Sequence, residues 1–227
     1  MKSLLLLNVC VLLFLFKSDS SKRKYSDTKF TYEFSITENT SKVKFKREVK
    51  LYWYALEKIE STFSGFSGRL LHGKYRKTLI FSKKIIEEGN FLYGMKNGEW
   101  KEWDEKGNLI CITNWKEGKK DGFYEYYAEE NKKIIRGYYL DGEKNSKWTI
   151  IDNGNLTKTT WSKNLRNGIY KEYDSLGGVI RKGRYKRGFK TGIWIDYRKK
   201  TRKRYSKGKI VNENVETFWD TFKEKKS

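Results

Sequence analysis

At 227 residues the chain is long enough for one or two domains, but only 37% of it is hydrophobic while 16% is aromatic, which argues against a thick core and for a thin one built from rings. Fifty Lys and Arg against 28 Asp and Glu give a formal net charge of +22, which predicts attraction to an anionic surface without choosing among phospholipid, nucleic acid and acidic protein. One His and two Cys with no CxxC offer no metal site, and the absence of Pro leaves strands uninterrupted and turns dependent on Gly, Asn and Asp.

Residues 1–20 have the pattern of a secretory signal peptide. Lys2 opens it, an apolar run follows from Leu4 to Phe16, and Ser18-Asp19-Ser20 supplies small residues for cleavage. The run is shorter than the ~20 residues that span a bilayer. Export to a bacterial periplasm or cell envelope is therefore expected, with a cytoplasmic location the alternative. Lys17, Lys22, Arg23 and Lys24 sit close behind the run and oppose translocation. Residues 21–64 form an N-terminal β cap and lead-in. Phe30, Tyr32, Phe34 and Ile36 alternate with polar residues, as do Val43 and Phe45 and then Val49, Leu51 and Trp53.

From residue 65 to 209 the chain repeats. Its marker is a turn-type residue, Gly, any residue, then an aromatic. The copies are Gly73 with Tyr75, Gly98 with Trp100, Gly122 with Tyr124, Gly168 with Tyr170 and Gly192 with Trp194, and in one further copy Ser146 precedes Trp148. The steps between markers are 25, 24, 24, 22 and 24 residues, the signature of a repeat architecture. A Gly lies four residues before the marker at Gly94, Gly118, Gly142 and Gly188. A second aromatic column runs Phe91, Trp115, Tyr139, Trp161, Tyr185, Tyr205. Two short aromatic and β-branched runs joined by Asn/Gly-rich turns make each unit a β-hairpin, with the marker residues at turns and the rings in the core.

The run Gly98-Glu99-Trp100-Lys101-Glu102-Trp103 followed by Lys106-Gly107-Asn108-Leu109 resembles the MORN repeat, in the bacterial variant found in tandem in envelope proteins and in YwqK-type antitoxins. The resemblance covers roughly residues 65–209. It implies an elongated single-sheet solenoid of stacked antiparallel hairpins, mainly β, whose activity is binding. An antitoxin that neutralises a toxin by direct contact is one such role.

Residues 210–227 are expected to form a capping amphipathic helix, since Val211, Val215, Phe218 and Phe222 share one helical face. No catalytic, cofactor-binding or metal-binding constellation is found. His72 occupies a turn position, and no Gly-rich phosphate loop follows a strand and opens a helix. The functional signal is basic. Arg198, Lys199, Lys200, Arg202, Lys203 and Arg204 are the candidate anionic-partner site, expected to merge into one patch with Arg181, Lys182, Arg184, Lys186, Arg187 and Lys190. The sequence therefore points to a monomeric, non-enzymatic scaffold that contacts a protein partner or an anionic membrane surface. Antitoxin activity and nucleic-acid binding are the alternatives, the latter without a recognition helix or RNP-type motif.

Overall fold

The structure, a computed structural model, describes residues 20–40, 47–63, 65–128 and 132–214. Among these it contains seventeen strands in one antiparallel sheet and no helix. The strands are β1 (Ser20–Ser26), β2 (Phe30–Thr37), β3 (Leu51–Ala55), β4 (Lys58–Thr62), β5 (Arg69–Leu79), β6 (Ile85–Leu92), β7 (Met95–Trp103), β8 (Leu109–Lys116) and β9 (Lys119–Ala128). They continue as β10 (Lys133–Leu140), β11 (Glu143–Asp152), β12 (Asn155–Ser162), β13 (Leu165–Tyr173), β14 (Val179–Lys186), β15 (Phe189–Asp196), β16 (Thr201–Ser206) and β17 (Lys209–Asn214). β1 pairs with β2, β2 with β5, and from β5 to β17 each strand pairs with the next. The β3–β4 hairpin joins the end of β5 and sets its Tyr54 and Tyr52 rings against Phe34 and Phe91, at 5.1 and 5.0 Å.

Two expectations are corrected. The marker glycines are not at hairpin turns. Gly98 lies inside β7 at a bulge, where Glu88 pairs with Lys101 but Asn90 pairs with Asn97, and its φ is +75°. The extra residues bend the strand and turn Trp100 onto the ring face, as bulges do. The turns are the glycines four residues earlier. Tyr93-Gly94, Glu117-Gly118, Asp141-Gly142 and Arg187-Gly188 each have positive φ at both positions, the two-residue geometry that matches strand twist. The second correction concerns the C-terminus. The helix expected from residue 210 is not present over 210–214, which extend β17 and pair with β16. Residues 215–227 lie outside the described residues, as do 1–19 of the expected signal peptide and Val43 and Phe45 of the cap.

The core occupies one face of the sheet, hereafter the ring face. Tyr75, Phe91 and Trp100 form a cluster with centroid distances of 4.8–5.5 Å. The same triad recurs as Tyr124, Tyr139 and Trp148, and again as Tyr170, Tyr185 and Trp194. In each triad the Trp covers a glycine on the preceding strand. A Cβ on Gly89, Gly137 or Gly183 would come within 2.2–2.3 Å of the Trp ring. The indole N–H of each Trp donates to the backbone carbonyl one residue past that glycine, Asn90, Tyr138 and Arg184. At the intervening strands the glycine is replaced by buried Thr113 and Thr159, so the structural unit is two repeats, not one. Trp100, Trp148 and Trp194 are 1%, 2% and 5% exposed. At about 1.5–3 kcal/mol for burying a large apolar side chain, plus about 0.5–1.5 for each ring pair, these triads carry much of the stability of a single-layer sheet.

Candidate anion-binding face

Strand alternation places every second residue on the face opposite the rings. One cross-strand row on that face can be followed through directly paired residues from β1 to β16. It runs Lys24, Glu33, Arg76, Glu88, Lys101, Ile112, Glu125, Arg136, Thr149, Lys158, Lys171, Lys182, Ile195, Arg202. As far as Arg136 the charges alternate in sign. Lys24 pairs with Glu33 at 3.3 Å, Arg76 with Glu88 at 3.1 Å, and Arg136 with Glu125. The alternation then stops, and Lys158, Lys171 and Lys182 stand directly opposite one another on three adjacent strands.

Arg184 and Arg204, on the same face, pair with Ile169 and Ile193. The only carboxylates of β12–β16 are Glu172 and Asp196, and both turn to the ring face, where Arg181 lies between them at 3.5 and 3.2 Å. The opposite face of these five strands therefore holds seven cations, Lys158, Lys171, Lys182, Arg184, Lys186, Arg202 and Arg204, and no acid. Like charges directly opposite on a sheet are destabilising, so folding alone does not select this arrangement. Between the cations a shallow groove of about 360 Å³ is lined by Lys171, Lys182, Arg184, Ile169, Ile193 and Ile195. Ile169 and Ile193 are 53% and 39% exposed. A larger groove on the same face, near β1–β7, has charges of both signs, including Arg76, Glu88, Glu99 and Lys101.

The basic run singled out from the sequence is not one patch. Arg198, Lys199 and Lys200 lie in the β15–β16 turn, where the Lys199 N–H donates to Asp196 at 2.8 Å. That bond and Arg181 outweigh the effect of burial and hold the Asp196 carboxyl below its usual range. Arg202 and Arg204 belong to the acid-free face, whereas Lys203 lies opposite Trp194 on the ring face. Of the second cluster, Lys182, Arg184 and Lys186 join the acid-free face, Arg181 and Lys190 lie on the ring face, and Arg187 is in a turn. Runs of consecutive basic residues hide this division. The informative pattern was the repeat column one residue before Gly89 and its equivalents: Glu88, Ile112, Arg136, Lys158, Lys182, Arg202.

The ring face carries its own basic column, also missed in the sequence. Lys96, Lys120, Lys144, Arg166 and Lys190 each stand two residues before a marker, each paired across strands with a second-column aromatic. Their charged groups lie over rings: Lys96 is 3.9 Å from the Trp100 centroid, Lys144 is 4.5 Å from Trp148, and Lys190 is 4.5 Å from Trp194. Burial, then neighbouring Lys120 and Arg166, pull the Lys144 ammonium below the usual lysine range. His72 and Cys111 have structural settings. The His72 Nδ1 accepts from the Tyr93 N–H at 3.3 Å, and burial pushes the Cys111 thiol up beside Thr113.

No protein-family model matches this chain, and no curated protein is significantly similar to it.

Proposed function

We propose that this chain is a non-enzymatic scaffold, an elongated solenoid of MORN-like hairpins, that binds an anionic phospholipid surface through the acid-free face of β12–β16. The observation that carries the reading is the run of Lys158, Lys171 and Lys182 on adjacent strands, in a row whose charges alternate in sign from Lys24 to Arg136. Exposed Ile169 and Ile193 among these cations give the face the mixed character of a surface that lies at a bilayer interface. An exported, envelope-associated protein, as the apolar N-terminal run suggests, would meet such a surface.

Each Lys or Arg near an anionic leaflet contributes about 1 kcal/mol, so removing four should weaken partitioning on the order of 10²–10³-fold at low salt. The test is co-sedimentation with neutral and acidic vesicles across a salt series. The parent is compared with a variant carrying Lys158→Gln, Lys171→Gln, Lys182→Gln and Arg184→Gln, and with a control carrying Lys24→Gln, Arg76→Gln and Lys101→Gln. Binding to acidic vesicles that falls with salt, survives in the control and is lost in the first variant supports the reading. Equal loss in both variants would mean that net charge alone is responsible. A parent that ignores acidic vesicles but is captured by a toxin-like protein partner would favour the antitoxin alternative.

A further inference from the structure

We propose that the ring face holds a second, separate site: a ladder of cations from Lys120 to Lys190 that binds an extended acidic polysaccharide carrying one anionic sugar in two.

The counter-ion pattern of the repeats carries this inference. In the first member of the basic column, Lys96 is paired with Glu87 at 2.6 Å. The position equivalent to Glu87, two residues before the glycine or threonine that faces the marker aromatic, becomes Cys111, Ile135, Thr157 and then Arg181 in the following copies. The repeat therefore keeps the cation and discards its carboxylate. Lys120, Lys144 and Lys190 have no acid within ion-pair distance among the described residues, and Arg166 is bonded only to the Tyr185 hydroxyl, at 3.1 Å. The Lys190 ammonium is pulled below the usual lysine range by burial first and then by Arg181, Lys203 and Arg166, against a smaller opposing effect of Asp196.

The spacing narrows the ligand. The four cations stand on every second strand, β9, β11, β13 and β15, so they recur at about 9.6 Å and span roughly 29 Å at the usual strand separation. Nucleic-acid phosphates follow one another far more closely, at about 3.4 Å of rise per strand. The faces of the rings are occupied by ammonium groups, at 5.0 Å for Lys120 over Tyr124 and 4.5 Å for Lys144 over Trp148, which leaves no open platform for base stacking. Between successive cations lie the rings of Tyr139, Trp161 and Tyr185, the first two half-buried and the third buried, and the half-buried pair offers an apolar edge to an uncharged sugar. A chain of alternating acidic and neutral sugars would place a charge at each cation and a neutral ring at each aromatic. This site does not depend on the membrane reading, because the two faces of the sheet point in opposite directions.

Titration calorimetry with alternating uronate/N-acetylhexosamine oligosaccharides tests the ladder. The octasaccharide, with four carboxylates, is expected to bind at least tenfold more tightly than the tetrasaccharide, and a neutral chito-oligosaccharide of equal length should not bind. The variant Lys120→Met, Lys144→Met, Lys190→Met keeps the aliphatic cover on the rings and should lose at least tenfold for the octasaccharide. The Gln variant of the acid-free face should bind it as the parent does. Equal affinity for tetra- and octasaccharide, unchanged binding by the Met variant, or loss in the opposite-face variant alone would each overturn the proposal. Tighter binding of a single-stranded oligonucleotide with the same number of charges would overturn the assignment to a glycan. If the Met variant does not fold, the length and charge series on the parent still decides.

Discussion

Ser146 takes the marker position that is Gly in the other copies, with a φ of 61° where Gly98 has 75°. A side chain in the left-handed region costs about 1–2 kcal/mol that glycine avoids, partly offset by the extra freedom glycine has when unfolded. Ser146→Gly should therefore stabilise the protein by about 1 kcal/mol, read as a higher denaturant midpoint at unchanged slope; an equal or lower midpoint would show that the bulge tolerates Ser without strain. Asp104 is a second informative residue. The Asn108 side-chain amide and backbone N–H both donate to its carboxylate, at 2.9 and 2.8 Å, and hold its pKa below the usual aspartate value. Because the folded value lies below the unfolded one of about 3.9, the stabilisation is full above that pH and is lost as pH falls through the depressed value. Asp104→Asn, which cannot titrate, should be less stable than the parent at pH 6, and the gap should close as pH drops below 4. A gap that stays constant would exclude this linkage.

At the scale of the hairpin, the repeat unit is set by which residue lies beneath the marker aromatic. Gly137 has ordinary backbone angles, but the Trp148 ring occupies the space of its missing Cβ. Gly137→Ala should cost about 1–3 kcal/mol through overpacking, and should expose Trp148 enough to shift its fluorescence to the red. An unshifted spectrum with parental stability would mean that the ring has room to move. The 24-residue period was legible because turns and rings recur at fixed columns, and two-residue turns such as Glu117-Gly118 leave a sequence trace. The alternation of Gly137 with Thr113 and Thr159 was harder to read, because a strand glycine and a turn glycine look alike in a sequence. The marker reads as a turn for the same reason: positive φ at Gly98 serves a bulge inside β7, a requirement a turn would share. The division of the basic residues was not legible from runs, since a one-residue step such as Arg202 to Lys203 changes the face of the sheet.

At the scale of the whole sheet, the change in the charge row separates stability from binding. Lys171 lies directly opposite both Lys158 and Lys182. Replacing it with Glu would restore the alternation seen at Arg76, Glu88 and Lys101, turning two like pairs into two opposite pairs. At about 0.2–1 kcal/mol for each cross-strand pair, Lys171→Glu should gain about 1 kcal/mol, or about 2–4 °C in melting temperature for a chain of this size. The gain should shrink as salt rises, because these exposed charges are screened within a Debye length of about 10 Å at 0.1 M and 3 Å at 1 M. The same change should weaken binding to acidic vesicles more than neutralisation to Gln does, since it places a carboxylate at the centre of the face. A more stable protein that binds worse is the outcome expected if the cations are kept for a ligand at the expense of the fold. A less stable Lys171→Glu protein that binds acidic vesicles as well as the parent would show that the row is only a solvated surface, and the anionic partner would then have to be sought on the ring face.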